Sequence, residues 1–159
     1  MTYKLPKKVR PIQEGAFTLV ELLVVIGILT ILLSIALIAI NPLRQFQQSN
    51  NTRRRSDILA ILNAITEYSA DNSGALSGTL SSATTAQTMT SDSGASNIDI
   101  CDDLIPTYIA AMPYDPETGD YTSCSNYDTQ YTVVVTTAPS RVTVAAPDAG
   151  LSETISIIR

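Results

Sequence analysis

Three groups of side chains in this 159-residue sequence have types and spacings that point to chemistry. The first is Glu21, the single ionisable residue in the run from Ala16 to Ile40, AFTLVELLVVIGILTILLSIALIAI. A carboxylate inside a membrane helix costs about 2.5–3.5 kcal/mol on insertion scales, so it calls for a positive partner. No nearby side chain supplies one. An α-amine would, were the chain cut just before Phe17; a protonated or snorkelling carboxyl near the helix end is the plainer alternative. The second group is Cys101 and Cys124, the only cysteines. A disulfide between them would close a loop of about 24 residues and stabilise a folded state by roughly 3.5 kcal/mol, given an oxidising compartment. Two free, buried thiols are the other reading. The third group is Asp115, Glu117 and Asp120, crowded into one turn-rich stretch with Asp102 and Asp103 near Cys101. Hard oxygen ligands this dense could hold calcium, although their spacing departs from the EF-hand pattern. Acids in such a loop also simply keep it soluble.

The composition narrows the chemistry further. Histidine is absent, which removes the commonest general base and the commonest metal ligand. Two cysteines without histidine cannot complete a four-ligand zinc site. No Gly-x-Ser-x-Gly elbow or phosphate-binding loop is present. A formal charge of −5 argues against nucleic-acid binding by the bulk of the chain. These features favour a structural or binding role, with no catalytic residue and no required cofactor, over an enzyme.

The elements that must position these residues follow from hydropathy and charge. As a helix, the Ala16–Ile40 run would be about 37 Å long, enough to cross a hydrocarbon core of about 30 Å. It exceeds the 7–15 apolar residues typical of a cleaved secretory signal, roughly speaking, and its end offers no small-x-small site. The block therefore reads as a retained membrane helix. Four basic residues precede it (Lys4, Lys7, Lys8, Arg10), and from Asp71 onward eleven acids face two arginines, a net of −9. The positive-inside rule puts the basic leader in the cytoplasm and the acidic body across the membrane.

The segment Gly15-Ala16-Phe17-Thr18-Leu19-Val20-Glu21-Leu22-Leu23-Val24-Val25-Ile26 resembles the amino-terminal signature of type IV pilins and type II secretion pseudopilins. The resemblance implies cleavage by a prepilin peptidase between Ala16 and Phe17 and N-methylation of Phe17. It also implies a role for Glu21 in neutralising the terminal amine of a neighbouring subunit. The family usually has Gly directly before the cut; here Gly15 is followed by Ala16. It further implies a homo-oligomer, or an assembly with related pilins, as a surface filament drawn from the membrane. Some pseudopilins carry calcium in a comparable head loop. A monomeric membrane-anchored binding or adhesion module is the alternative from another functional class.

Beyond the apolar run, Asn41-Pro42 marks either a kink or a simple helix boundary. Leu43–Tyr68 reads as helix, with Ile58, Ile61, Leu62, Ile65 and Tyr68 at helical spacing and Asn72-Ser73-Gly74 as the stop. From Phe17, the two helices would total roughly 80 Å. Arg53-Arg54-Arg55 reads as a solvated face pairing with acids of neighbouring subunits, with anionic lipid or DNA as lesser partners. Residues 75–97, rich in Ser, Thr, Ala and Gly, read as a surface loop that packing could partly order, with short helical or extended pieces left open by periodicity. Residues 102–111 suggest a brief helical turn interrupted by Pro106. Tyr131–Thr137, Arg141–Ala145 and Thr154–Ile158 carry strand signals, the first two joined by Ala138-Pro139-Ser140. The expected architecture is α+β and pilin-like: a long N-terminal helix, membrane-spanning in its first half, packed against a small antiparallel sheet. The expected divisions are a leader at 1–16, a membrane and filament-core helix at 17–40, its continuation at 41–74 and an extracytoplasmic head at 75–159.

Overall fold

The computed structural model describes residues 15–92, 94–137 and 140–159. Leader residues Lys4, Lys7, Lys8 and Arg10 and the Ala138-Pro139 step lie outside the described residues. The chain divides into two compact units, the first ending at Asn41 and the second running from Pro42 to Arg159.

In the first unit, helix α1 spans Leu19–Ile40, starting two residues after Phe17. Thr18 caps it: its extended backbone (φ −78°, ψ 151°) lets Oγ1 accept from the Glu21 N–H at 3.2 Å. Every described residue of α1 is exposed. A helix apolar on all sides needs a surrounding apolar phase rather than one packed face. Its two internal hydroxyls are satisfied within the helix, Thr30 Oγ1 donating to the Ile26 carbonyl at 2.7 Å and Ser34 Oγ to the Thr30 carbonyl at 2.8 Å. Neither therefore brings an unpaired donor into an apolar surrounding. Among the described residues, α1 is the one helix long and apolar enough to cross a membrane. It ends at Asn41, whose φ of 45° places it in the left-handed region that asparagine tolerates.

The second unit opens with helix α2, Pro42–Asp71. Proline suits a first helical position, where its missing N–H would have had no partner, so Asn41-Pro42 is a boundary between helices. At the other end, Ser73 and Gly74 adopt φ of 58° and 86°, and the Gly74 N–H returns to the Ser69 carbonyl at 2.7 Å. Asn51, Arg54, Ile58, Ile61, Leu62, Ala64 and Ile65 are the buried residues of α2. They fall on one face at the three- and four-residue spacing of a helix stripe.

That face lies on a six-stranded sheet. Its strands are β1 (Gln87–Thr90), β2 (Asn97–Ile98), β3 (Asp120–Ser123), β4 (Asn126–Thr137), β5 (Ser140–Ala146) and β6 (Ile155–Ile158). The order is β2-β1-β4-β5-β6, with β3 also paired to β4. Strand β4 alternates strictly, burying Tyr127, Thr129, Tyr131, Val133 and Val135. Val142, Val144, Ala146 and Ile155 extend the same inward face along β5 and β6, against which α2 packs. β3 and β5 share one edge of β4, β3 opposite residues 126–128 and β5 opposite residues 132–137, while β1 takes the other edge.

The structure refines two expectations about the head. The sheet is mixed, because β1 and β2 run parallel while all other pairs are antiparallel. The polar stretch 75–97 is not wholly a surface loop. It contributes a 3-10 turn at Leu80–Ser82, strand β1 and the start of β2, and buries Ser77, Leu80, Ala83, Met89 and Thr90. Its attachment is largely through the backbone, as where the Val135 N–H donates to the Ala83 carbonyl at 2.7 Å. Main-chain pairing asks little of side-chain composition. The turn expected near residue 102 is a short helix, α3 (Cys101–Leu104), followed by a cis Ile105–Pro106 bond.

Candidate functional site

The N-terminal segment is built around Thr18 and Glu21. Gly15, Ala16 and Phe17 lie outside regular secondary structure and are exposed, Phe17 to 76%. Glu21 occupies the third position of α1, three residues after the capping threonine, and Thr18 Oγ1 stands 3.5 Å from Glu21 Oε2. Thr-x-x-Glu at a helix start is the capping-box spacing. The same spacing holds the carboxyl beside the helix N-terminus, where negative charge is favoured. Phe17, Thr18 and Glu21 are thus gathered at one end of an otherwise apolar cylinder.

The second cluster lies within the head. Arg54 is fully buried and Asp115 is 1% exposed. Arg54 Nε donates to Asp115 Oδ2 at 2.6 Å and Nη2 to Oδ1 at 3.0 Å, a two-pronged pair, while Nη2 also reaches Glu117 Oε2 at 2.9 Å. The remaining prong, Nη1, donates to Asn51 Oδ1 at 3.2 Å. Hydrogen bonding to Asp115 holds the Arg54 pKa above its ordinary value against the opposing effect of burial. Burial pushes the Asp115 carboxyl up. Bonds from Arg54 and from the Glu117 and Thr118 N–H groups outweigh it, so its pKa lies below the usual carboxylate range. Gly119 completes the loop: a Cβ there would stand 2.7 Å from the Asp115 nitrogen and 3.0 Å from the carbonyl oxygens of Asp128 and Thr129. Only glycine permits this approach.

Nearby, Tyr131 Oη donates to Asp57 Oδ2 at 3.0 Å, and Arg53 Nε stands 3.6 Å from the same oxygen. Burial raises the Asp57 pKa against these two stabilising contacts, and it raises that of Tyr131 together with the Asp57 charge. Arg53 also sits over the Tyr114 ring, 5.4 Å from its centroid, and Arg55 Nη2 donates to Glu153 Oε2 at 2.5 Å. The arginine run is therefore satisfied by acids of its own chain, and its middle member is not solvated. This corrects the reading of all three as an exposed face for neighbouring subunits. The missed signal was periodicity: Arg54 lies four residues before Ile58 and Asn51 seven before it, so both continue the core stripe backwards.

Cys101 and Cys124 are joined in a disulfide, with Cα atoms 5.3 Å apart, tying α3 to the β3–β4 turn. Of the calcium candidates, Asp115 and Glu117 meet at the Arg54 guanidinium, while Asp120 is exposed at the start of β3. Both Asp115 oxygens are committed to N–H donors, chiefly the Arg54 guanidinium. Among the described residues, no three His, Cys, Asp or Glu side chains are grouped to hold a metal ion.

A wholly exposed apolar helix with an acid in its first turn, and a separate α+β unit of one helix on a small sheet, define a pilin-like arrangement. Residues 13–37 match the family model for the prokaryotic N-terminal methylation motif, consistent with the type IV pilin and pseudopilin family. The match covers 25 residues and concerns that segment alone. No curated protein and no solved structure matches the chain significantly.

Proposed function

We propose that this protein is a filament subunit, inserted in the membrane as a precursor and cut by a prepilin peptidase between Ala16 and Phe17. It is then methylated at Phe17 and polymerised through α1 as a type IV pilus-like or pseudopilus assembly. The observation that carries the reading is Glu21 at the first turn of a helix with no buried residue, inside a methylation motif. Cleavage would place a new α-amine four residues from this carboxyl, and an unpaired charge of either sign in an apolar filament core is costly. Pairing the amine of one copy with Glu21 of the next therefore selects an axial register. The basic residues ahead of α1 and the acidic head favour a cytoplasmic start and an extracytoplasmic body. The disulfide agrees with that side. In this reading the protein is a peptidase substrate and a structural element rather than an enzyme.

The test is to co-express the full chain with a prepilin peptidase and determine its mature terminus by mass spectrometry. A chain beginning at methylated Phe17 is expected. Glu21→Ala should then leave processing and the head disulfide intact while lowering polymer yield about tenfold or more. A chain that keeps residues 1–16 beside an active peptidase would overturn the reading in favour of a monomeric anchor.

A further inference from the structure

We infer that the head carries a basic docking groove that receives the acidic α3 end of a second copy of this chain. The inference rests on the filament reading above and adds to it a contact between heads. Beyond Arg55 the sequence contains two basic residues, Arg141 and Arg159, among thirteen acids. Both line one groove of about 170 Å³ between α2 and β5, whose floor includes Leu62, Ile65, Leu76 and Val142. Arg159 Nη1 donates to Asn63 Oδ1 at 2.9 Å, an uncharged partner. Among the described residues neither arginine forms an ion pair. Two cations of an acidic surface are thus gathered at one groove with an apolar floor, and neither has an ion-pair partner among the described residues.

The complementary charge lies at the other end of the same sheet. Asp99, Asp102 and Asp103 follow β2, all three exposed, and none of them is ion-paired among the described residues. Asp99 accepts from Tyr127 Oη and Asp103 from Ser77 Oγ, so both are held in place by uncharged donors. Asp102 projects from α3 with no such tether. In the order β2-β1-β4-β5-β6, three strand spacings separate β2 from β5. That is about 14 Å, beyond a physiological screening length of about 8 Å. Within one head the two groups form no ion pair among the described residues, whereas a neighbour in the same orientation can bring opposite charges together. A contact between two different patches of identical subunits repeats without closing unless its rotation forms a ring. It is therefore the type of contact an open filament requires.

The experiment uses the full chain with its peptidase and compares four forms: wild type, Arg141→Glu, Asp102→Arg and the double variant. The processed terminus and the sedimenting polymer fraction are read for each. Either single reversal should lower the polymer fraction about fivefold or more without changing processing, and the double variant should return it to within about twofold of wild type. Singles that polymerise like wild type would overturn the proposal. So would a double variant as poor as the singles, because misfolding or an unrelated anionic partner is not rescued by exchanging charges. A processed wild type that never sediments would instead remove the filament reading, and the groove contact with it.

Discussion

The side-chain amide of Asn51 and the peptide group of Gly150 exchange two hydrogen bonds, Nδ2 to the carbonyl and N–H to Oδ1, each 2.9 Å long. One buried asparagine thus pairs with backbone as an adjacent strand would, while also accepting from Arg54. Asn51→Ala would strand the Gly150 N–H and one guanidinium N–H, and leave the Gly150 carbonyl with the Glu153 N–H alone at 3.2 Å. It should lower stability by about 1–3 kcal/mol, read as the denaturant midpoint of the full chain in detergent. An unchanged midpoint would show that water replaces the exchange at no cost.

Removing Arg54 should be more severe. Arg54→Met leaves Asp115 buried and uncompensated, a loss of about 3–5 kcal/mol. Adding Asp115→Leu to Arg54→Met should recover only part of this. Asp115 Oδ1 also accepts from the Glu117 and Thr118 N–H groups at 2.9 and 3.2 Å, and leucine cannot replace those bonds. A double-mutant cycle on thermal unfolding separates the two contributions.

Two aspartates should give opposite pH trends. The folded pKa of Asp115 lies below its unfolded value, so its contribution is fully present above the ordinary aspartate range and is lost as pH falls through the folded value. Asp57 has a raised pKa, so its contribution is present below the unfolded value and is lost as pH rises through the folded one. Melting temperatures followed from neutral pH to below about pH 4 should show a shallower acid limb in Asp115→Asn. Asp57→Asn should instead abolish a decline on the alkaline side of that range.

Replacing Cys101 and Cys124 together with serine should lower head stability by roughly 3.5 kcal/mol, through the enlarged freedom of the unfolded loop. Reduction of the wild-type chain should give a loss of similar size. The measurement is denaturant unfolding with and without reductant. The variant itself should be insensitive to reductant.

The α1 span, the α2 stripe from Ile58 to Ile65 and the three C-terminal strands were legible because each rests on local periodicity or apolar length. Ser140, whose neighbours Ala138 and Pro139 suggest a turn, opens β5 opposite Thr137. β1 was not legible: Gln87–Thr90 joins the sheet by main-chain bonds to β4, far away in sequence, with Met89 as its one large apolar anchor. Phe17, Glu21 and the cysteines were found because a motif or a count isolates them. Arg54 was hidden by its neighbours: three consecutive arginines suggest solvent by composition, and only helical phase separates the inward one from the outward two. Thr18 is likewise readable, as the first residue of a Thr-x-x-Glu box.

Asn51, Arg54 and Arg55 fasten one short stretch of α2 to Gly150, Asp115, Glu117 and Glu153, residues from two loops beyond the sheet strands. A helix held only by apolar contact can slide or peel one turn at a time, because each small displacement exchanges one greasy neighbour for another. Here the first displacement must break directional, charged links together and expose a cation that has no second site. Tension applied along α2 should accordingly meet a brittle response: little extension, then a single rupture, visible as one force peak when a single chain is pulled from that end. The buried guanidinium works as a shear pin between the helix and the loop that precedes β3.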